Sequence, residues 1–291
     1  MAALRELRRA FGTLVSHPAV LVLAVALAVL RPPPALRYLY GPIYLVLAGL
    51  TFFVTPVVLV ALLTRADDAL RDREPSSLVA AVKDRYAGLL VGNLGFVGLQ
   101  FGVNLAVGLF AALILVVLLV VGVGLGGLAD GGAATATTTG TDSALPTALA
   151  GVTLVGYLLV LLFGLVGFGV NLLVDFALVF YKPAIVVADR DVGDAFRESY
   201  HLVRENLGTA GGFYVLRLAV GLLFGGIALA LAVVVFSVGE LGSLLETSRG
   251  GLVVLLAVVA VAYLSRSLTY AITLPYTVNV YQFLRYRDEQ A

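Results

Sequence analysis

Six blocks of this chain, 11–30, 43–63, 88–127, 152–181, 211–238 and 251–285, are long apolar runs with few charges. Each is near or above the roughly 20 residues a helix needs to cross the hydrocarbon core of a bilayer. A soluble helix that is apolar all round has to be buried on every side. This chain has no polar shell with which to do that. Its residues are 60% hydrophobic and 13% charged, against about 25% charged in an ordinary soluble domain. The blocks predict an all-α fold: a polytopic membrane helix bundle of about six transmembrane helices, with residues 1–291 as one integral membrane domain.

The same composition removes several function classes. A formal net charge of +1 is unlike the basic footprint of a nucleic-acid binder, so no nucleic-acid partner is expected. Without cysteine there is no disulfide framework, thiolate nucleophile or thiolate metal site. His17 and His201 lie on separate segments, which argues for two polar residues at the membrane boundary rather than a shared metal site. No H-E-x-x-H or G-x-S-x-G motif occurs, and no span offers two carboxylates at helical spacing. An intramembrane hydrolase would need such a nucleophile–base pair or metal cluster. We expect no enzyme activity, no cofactor and no metal.

The N-terminus has the outline of a signal peptide, with Arg5, Arg8 and Arg9 before the apolar run 20–30. Arg31 and Pro32 to Pro34 follow directly, without a small-residue cleavage site, so this segment reads as an uncleaved first span. A Pro-rich turn, 31–42, leads to the second span. The charged stretch 65–86 contains a Pro-Ser-Ser start signal and a short amphipathic helix. Residues 128–150, rich in Gly, Ala and Thr without Lys or Arg, read as a loop. Pro183 is expected to end the fourth helix. Asp191 or Asp194 can then cap an amphipathic helix over 192–205, whose apolar positions Val192, Ala195, Phe196, Tyr200 and Val203 recur at three and four residues. Such a helix lies on the membrane surface or ties the fourth span to the fifth. Fourteen Lys or Arg fall on the N-terminus, the second-to-third and fourth-to-fifth connections and the C-terminus, against three (Arg31, Arg37 and Arg249) on the other side. The positive-inside rule then expects a multi-pass protein of the cell membrane with both termini and two amphipathic helices in the cytoplasm.

The third and fifth spans share residues in register. Asn93-Leu94-Gly95 matches Asn206-Leu207-Gly208, and 105–109 matches 218–222 (both Leu-Ala-Val-Gly-Leu), each at an offset of 113 residues. Each block follows a cytoplasmic amphipathic helix and runs outward. The pattern points to a duplicated unit with its axis along the membrane normal. Gly98 and Gly102, Gly208 and Gly212, and Gly221 and Gly225 stand four apart, a spacing that lets helix backbones approach inside a bundle.

Ionisable groups within a span cost roughly 2.5–3.5 kcal/mol at its centre. Asp175, Arg217 and Arg266 stand out. Asp175 lies six residues before Tyr181, roughly 9 Å at the ~1.5 Å rise of a helix, and Asn171 is four residues earlier on the same face. Both arginines fall in the inner half of their spans. Asn171, Asp175, Arg217 and Arg266 therefore form a candidate polar cluster, binding or structural. In the binding form Asp175 pairs with one arginine and the other faces an anionic group such as a lipid phosphate, which suits a planar guanidinium. In the structural form the second arginine snorkels to the interface. A proton-coupled transporter usually needs an acidic relay. Asp175 is the one clear intramembrane carboxylate, and Glu240 sits at the outer rim. Pro275 could break the sixth helix, although proline is ordinary in spans.

Several segments together carry a family likeness: His17-Pro18 before an apolar run, Lys-Pro-Ala-Ile-Val-Val-Ala-Asp at 182–189, the amphipathic stretch 194–200, and Tyr-Gln-Phe-Leu-Arg at 281–285. They resemble the uncharacterised six-span proteins related to the membrane domain of glycerophosphodiester phosphodiesterases, archaeal members of unknown function among them. In that family the membrane domain carries no assigned catalysis, and the phosphodiesterase, where present, is a separate soluble domain that this sequence lacks. The resemblance implies a non-enzymatic membrane protein with a lipid- or envelope-related role and with membrane lipids, or another membrane protein, as partner. The alternative is a small transporter or permease subunit with a polar site at the inner leaflet.

Overall fold

The computed structural model describes residues 2–30, 41–131, 144–237 and 248–288. The expected turn with Arg31 and Arg37, most of the Thr-rich loop and Glu240 lie outside them. Regular structure among the described residues is helical: α1 (Ala2–Ser16), α2 (Pro18–Leu30), α3 (Gly41–Leu70), α4 (Leu78–Gly131), α5 (Ala144–Ala177), α6 (Tyr181–Val186), α7 (Val192–Glu205), α8 (Leu207–Ser237) and α9 (Ser248–Asp288). Five helices are long and apolar enough to cross a membrane, or six if the bent pair α1–α2 is one span. The fold is an all-α bundle. It forms two compact units, Met1–Asn93 with Phe176–Ala291, and Leu94–Asp175.

In the first unit α9 is the axis against which α1, α2, α3 and α8 pack. Ala24, Leu62 and Ala271 are fully buried at the crossing of α2, α3 and α9, with Leu14, Leu23, Tyr270 and Leu274 packed around them. The small alanines let the backbones approach. A second core is aromatic. Phe180 stacks on Phe213 at 5.4 Å, Phe213 meets Tyr276 at 4.8 Å, and Phe180 lies 6.3 Å from Tyr281. All four side chains are fully buried. Each such pair adds ~0.5–1.5 kcal/mol beyond its burial.

The second unit consists of α4 beyond Asn93 and α5 up to Asp175. Its apolar side chains are largely exposed, Phe101, Leu109, Leu113, Leu161 and Phe168 among them. Its two helices meet through an edge-to-face pair, Phe110 and Phe163, at 5.9 Å, and through Asn104 and Asn171.

Several boundaries differ from the sequence expectation. The first span, expected over 11–30, is broken at His17, and its two arms stand at 96°. Pro18 opens α2 and cannot donate back to the preceding turn, while the His17 N–H still bonds the Thr13 carbonyl at 3.0 Å. The thirteen residues of α2 rise about 20 Å, and Arg5, Arg8 and Arg9 belong to a separate amphipathic helix, α1. The second span continues past residue 63 to Leu70. The amphipathic helix expected within 65–86 is not separate: from Leu78 it is continuous with the third span. The fourth helix ends at Ala177 rather than at Pro183. Pro183 stands in the first turn of α6, where a missing N–H costs little. What terminates α5 is Ser199 of α7. Its hydroxyl donates to the Ala177 carbonyl and accepts from the Phe180 N–H, both at 3.0 Å, so the freed backbone groups stay satisfied in a fully buried place. The fifth helix starts at Leu207 rather than 211, and α9 runs through Pro275 unbroken.

The amphipathic helix α7 has the expected bounds. Asp191 occupies its N-cap in extended backbone but makes no side-chain capping bond, and Asp194 pairs with Arg197 at 3.6 Å on the exposed side. Ala195, Ser199, Leu202 and Val203 are buried, and Phe196 packs on Tyr181 with ring centroids 5.1 Å apart. This helix therefore links the fourth helix to the fifth. Of the spaced glycines, Gly98, Gly102, Gly208, Gly221 and Gly225 are positions where a Cβ would meet no described atom within 4 Å. The close contact is at Gly92, where a Cβ would lie 2.9 Å from Ile185 Cδ1.

The two halves of the sequence repeat can be set side by side. Asp72 (φ 49°) and Asp189 (φ 54°) are left-handed residues in the links before α4 and α7, a conformation that aspartate tolerates better than most residues. The Asn-Leu-Gly triplets fold differently. At Asn93 helix α4 is continuous, and the Asn93 side chain accepts a 2.8 Å bond from the Tyr181 hydroxyl. At Asn206 the helix stops for one residue (φ −120°, ψ 37°), and the Asn206 amide bonds the Leu202 carbonyl at 3.2 Å.

Candidate functional site

The last turns of α9 carry polar residues all round the helix. At about 100° per residue, Tyr281 and Arg285 share one side, and Asn279, Gln282, Phe283, Tyr286 and Arg287 share the other. Each side meets a different partner. Glu198 of α7 accepts a 2.7 Å hydrogen bond from the Tyr281 hydroxyl, a 2.9 Å bond from Arg190 Nε and a 4.0 Å ion pair from Arg285 Nε. The Tyr281 bond and the Arg285 ion pair tie α7 to α9, and the Arg190 bond holds the same carboxylate in place.

On the opposite side Asn279 donates to Glu6 Oε2 at 2.7 Å and to the Glu6 carbonyl at 3.2 Å. Glu6 is 4% exposed. A buried carboxylate costs several kcal/mol, roughly, unless it is paired and hydrogen-bonded, and Arg5 Nε completes its shell at 3.1 Å. Nearby, Asp67 Oδ1 accepts from Arg71 Nε at 2.9 Å and from Gln282 Nε2. Arg5 also lies 5.9 Å from the centre of the Phe283 ring.

Between these groups is a cavity of about 680 Å³. It is lined by Arg5, Glu6 and Arg9 of α1, by Leu70 and Arg71 at the end of α3, and by Asn279, Gln282, Phe283, Tyr286 and Arg287 of α9. Four guanidinium groups and one carboxylate line it, so it is strongly electropositive. A planar guanidinium binds carboxylate or phosphate oxygens two at a time, and this is the chemistry the cavity offers. The described residues contain no group of three or more His, Asp or Glu that could hold a metal ion.

The four residues singled out in the sequence are divided between the two units. Asn171 and Asp175 belong to the second unit, and Arg217 and Arg266 to the first. Asn171 exchanges amide bonds with Asn104, donating at 2.8 Å and accepting at 3.4 Å, and also donates to the Gly167 carbonyl at 2.7 Å. It thus pairs α5 with α4. Arg217 lies 5.9 Å from the centre of the Tyr214 ring. Arg266 is half-buried on α9, beside Ser265, whose hydroxyl donates to the Phe224 carbonyl of α8 at 2.6 Å.

The residues of the cavity were visible in the sequence only as topology charges. Arg5, Arg9, Arg71 and Arg287 enter the Lys/Arg count, and nothing in that count says they meet. Two signals pointed further. Glu6 is an acid set among arginines, and Glu6, Ala10 and Thr13 recur at helical spacing; these are the buried residues of α1.

A family model described as a domain of unknown function (DUF7847) matches residues 1–284. No curated protein and no solved structure matches the chain.

Proposed function

The chain belongs to the DUF7847 family, and from that premise we propose a non-enzymatic, multi-pass protein of the cell membrane that engages anionic lipid at its cytoplasmic face. One observation carries the reading: the basic segments that the sequence assigns to one side converge on one end of α9. The N-terminal arginines and the end of α3 meet there in a single cavity, and Arg190 of the fourth-to-fifth connection meets Arg285 on Glu198. Tyr286 and Phe283 at the same end suit the aromatic belt at a membrane boundary. The lipid-facing role accords with exposed apolar residues along the long helices, which in a bilayer contact acyl chains. Kinship with the membrane-domain proteins of glycerophosphodiester phosphodiesterases is part of the same proposal.

Lipid co-purified with the full chain tests it directly. Native mass spectrometry should find anionic lipid enriched over its share of the source membrane, and a bound fraction that mirrors the membrane would overturn the reading. Sidedness is read by an impermeant maleimide on Glu74→Cys, since the chain has no cysteine of its own. Labelling is expected in inside-out vesicles, and labelling of intact cells would reverse the assigned orientation.

A further inference from the structure

We infer that the cavity takes a phosphate monoester borne by a lipid whose acyl chains lie along the outer face of α1. The inference rests on the anionic-lipid reading above and names the ligand class.

The charge inventory sets the ligand's charge. Of the four arginines in the cavity, Arg5 is paired with Glu6 at 3.1 Å and Arg71 with Asp67 at 2.9 Å. Among the described residues no carboxylate lies within ion-pair distance of Arg9 or Arg287. Among the described residues, two positive charges are left for the ligand. A phosphate monoester carries about −1.5 to −2 at neutral pH, whereas a phosphodiester carries a single charge. Paired guanidinium groups also fit the three terminal oxygens of a monoester better than the two free oxygens of a diester.

The geometry of α1 sets where the ligand comes from. At about 100° per residue, Leu4, Phe11 and Val15 fall in one narrow arc, and they are 61%, 44% and 86% exposed. Glu6, Ala10 and Thr13 occupy the opposite arc and are buried. Arg5 and Arg9 lie between the two arcs, on the edge that lines the cavity. α1 thus presents an outward apolar face beside a basic edge, which is the pattern of a helix lying in the membrane boundary. The 96° bend at His17 sets α1 across the direction of α2. With α2 entering the bilayer, α1 lies in its plane. A lipid beside α1 would then place its chains on Leu4, Phe11 and Val15 and its phosphate between Arg9 and Arg287. A leaflet containing phosphomonoester lipid is the occupant that satisfies both faces.

The test uses the full-length protein in detergent with defined probes. Native mass spectrometry should show phosphatidic acid retained about tenfold over phosphatidylglycerol. The double variant Arg9→Gln, Arg287→Gln, which replaces exposed side chains and leaves the Glu6 shell intact, should bring the two lipids to parity. Val15→Asp should lower retention of both. If phosphatidic acid and phosphatidylglycerol are held equally, or the double variant changes nothing, the monoester assignment is overturned while the anionic-lipid reading stands. If neither is retained above phosphatidylcholine, both fall together. If millimolar inorganic phosphate displaces phosphatidic acid and stabilises the parent but not the double variant, the ligand is a free phosphate and the lipid-borne assignment is overturned.

Discussion

The first unit holds its helices with a fully buried aromatic chain and two multiply bonded carboxylates, Glu6 and Glu198, whereas among the described residues of the second the polar and aromatic contacts between its helices are an amide pair and a ring contact, Asn104 with Asn171 and Phe110 with Phe163. The difference shows what selects neighbours among apolar helices. In hydrocarbon a leucine gains little by exchanging lipid for another leucine, so association depends on packing detail and on polar groups that find partners. At one end of α9 the first unit joins α1, α3 and α7 to that helix through polar residues. Among its described residues the second brings two largely apolar surfaces together with an asparagine pair.

The largest effect expected is at the buried carboxylate. Asn279→Leu removes the shorter of the donors to Glu6 and leaves a charged group short of a partner, which should cost about 2–3 kcal/mol. It is read as a lowered unfolding midpoint in detergent, and Glu6→Leu in the same background should recover much of the loss. An Asn279→Leu variant as stable as the parent would break the contrast between the units. A smaller effect separates two glycines. Gly98→Ala in the second unit meets no described atom within 4 Å and should gain up to ~1 kcal/mol from helix propensity. Gly92→Ala in the first places a Cβ 2.9 Å from Ile185 Cδ1, so the gain should vanish or turn into a loss. Equal gains at both positions would mean that the first unit is no more tightly packed at that point than the second. The smallest effect is the coupling of the asparagine pair. A double-mutant cycle on Asn104→Leu and Asn171→Leu should return about 0.6 kcal/mol, the average for such bonds in a membrane. A coupling near zero would leave the ring contact as what joins the two helices.

Much of the architecture was legible before any coordinates. The apolar blocks predicted helices, and helices stand at each of them; the bounds of α7 followed from its apolar spacing. The boundaries that were misplaced share a cause. Local sequence marks where a helix becomes costly, but not which distant group will satisfy its end. Pro183 is the obvious breaker by sequence, yet α5 stops earlier because Ser199, 22 residues beyond Ala177, is there to take the free carbonyl. The bend at His17 escaped for a related reason: arginines ahead of an apolar run read equally well as the flank of a span or as one edge of an amphipathic helix. The cavity at the end of α9 was the least legible feature. Asn171, Asp175, Arg217 and Arg266 were singled out by intramembrane cost, which measures one residue at a time. The cavity is built from residues that are individually cheap, being at helix ends, and that become distinctive only when four guanidinium groups share one space.

By itself the sequence determined that this chain is helical throughout its long apolar blocks, because a backbone without water must close its own hydrogen bonds and a helix does so within one segment. It also determined where the charge lies along the chain. Which helices touch was decided only in the tertiary structure. Glu6 meets Asn279 across 273 residues, and one Asn-Leu-Gly triplet continues a helix while the matching one interrupts one. The physical reason is that a uniform apolar surface has no preferred neighbour. The few polar side chains choose, and each finds its partner only after the chain has brought distant segments together.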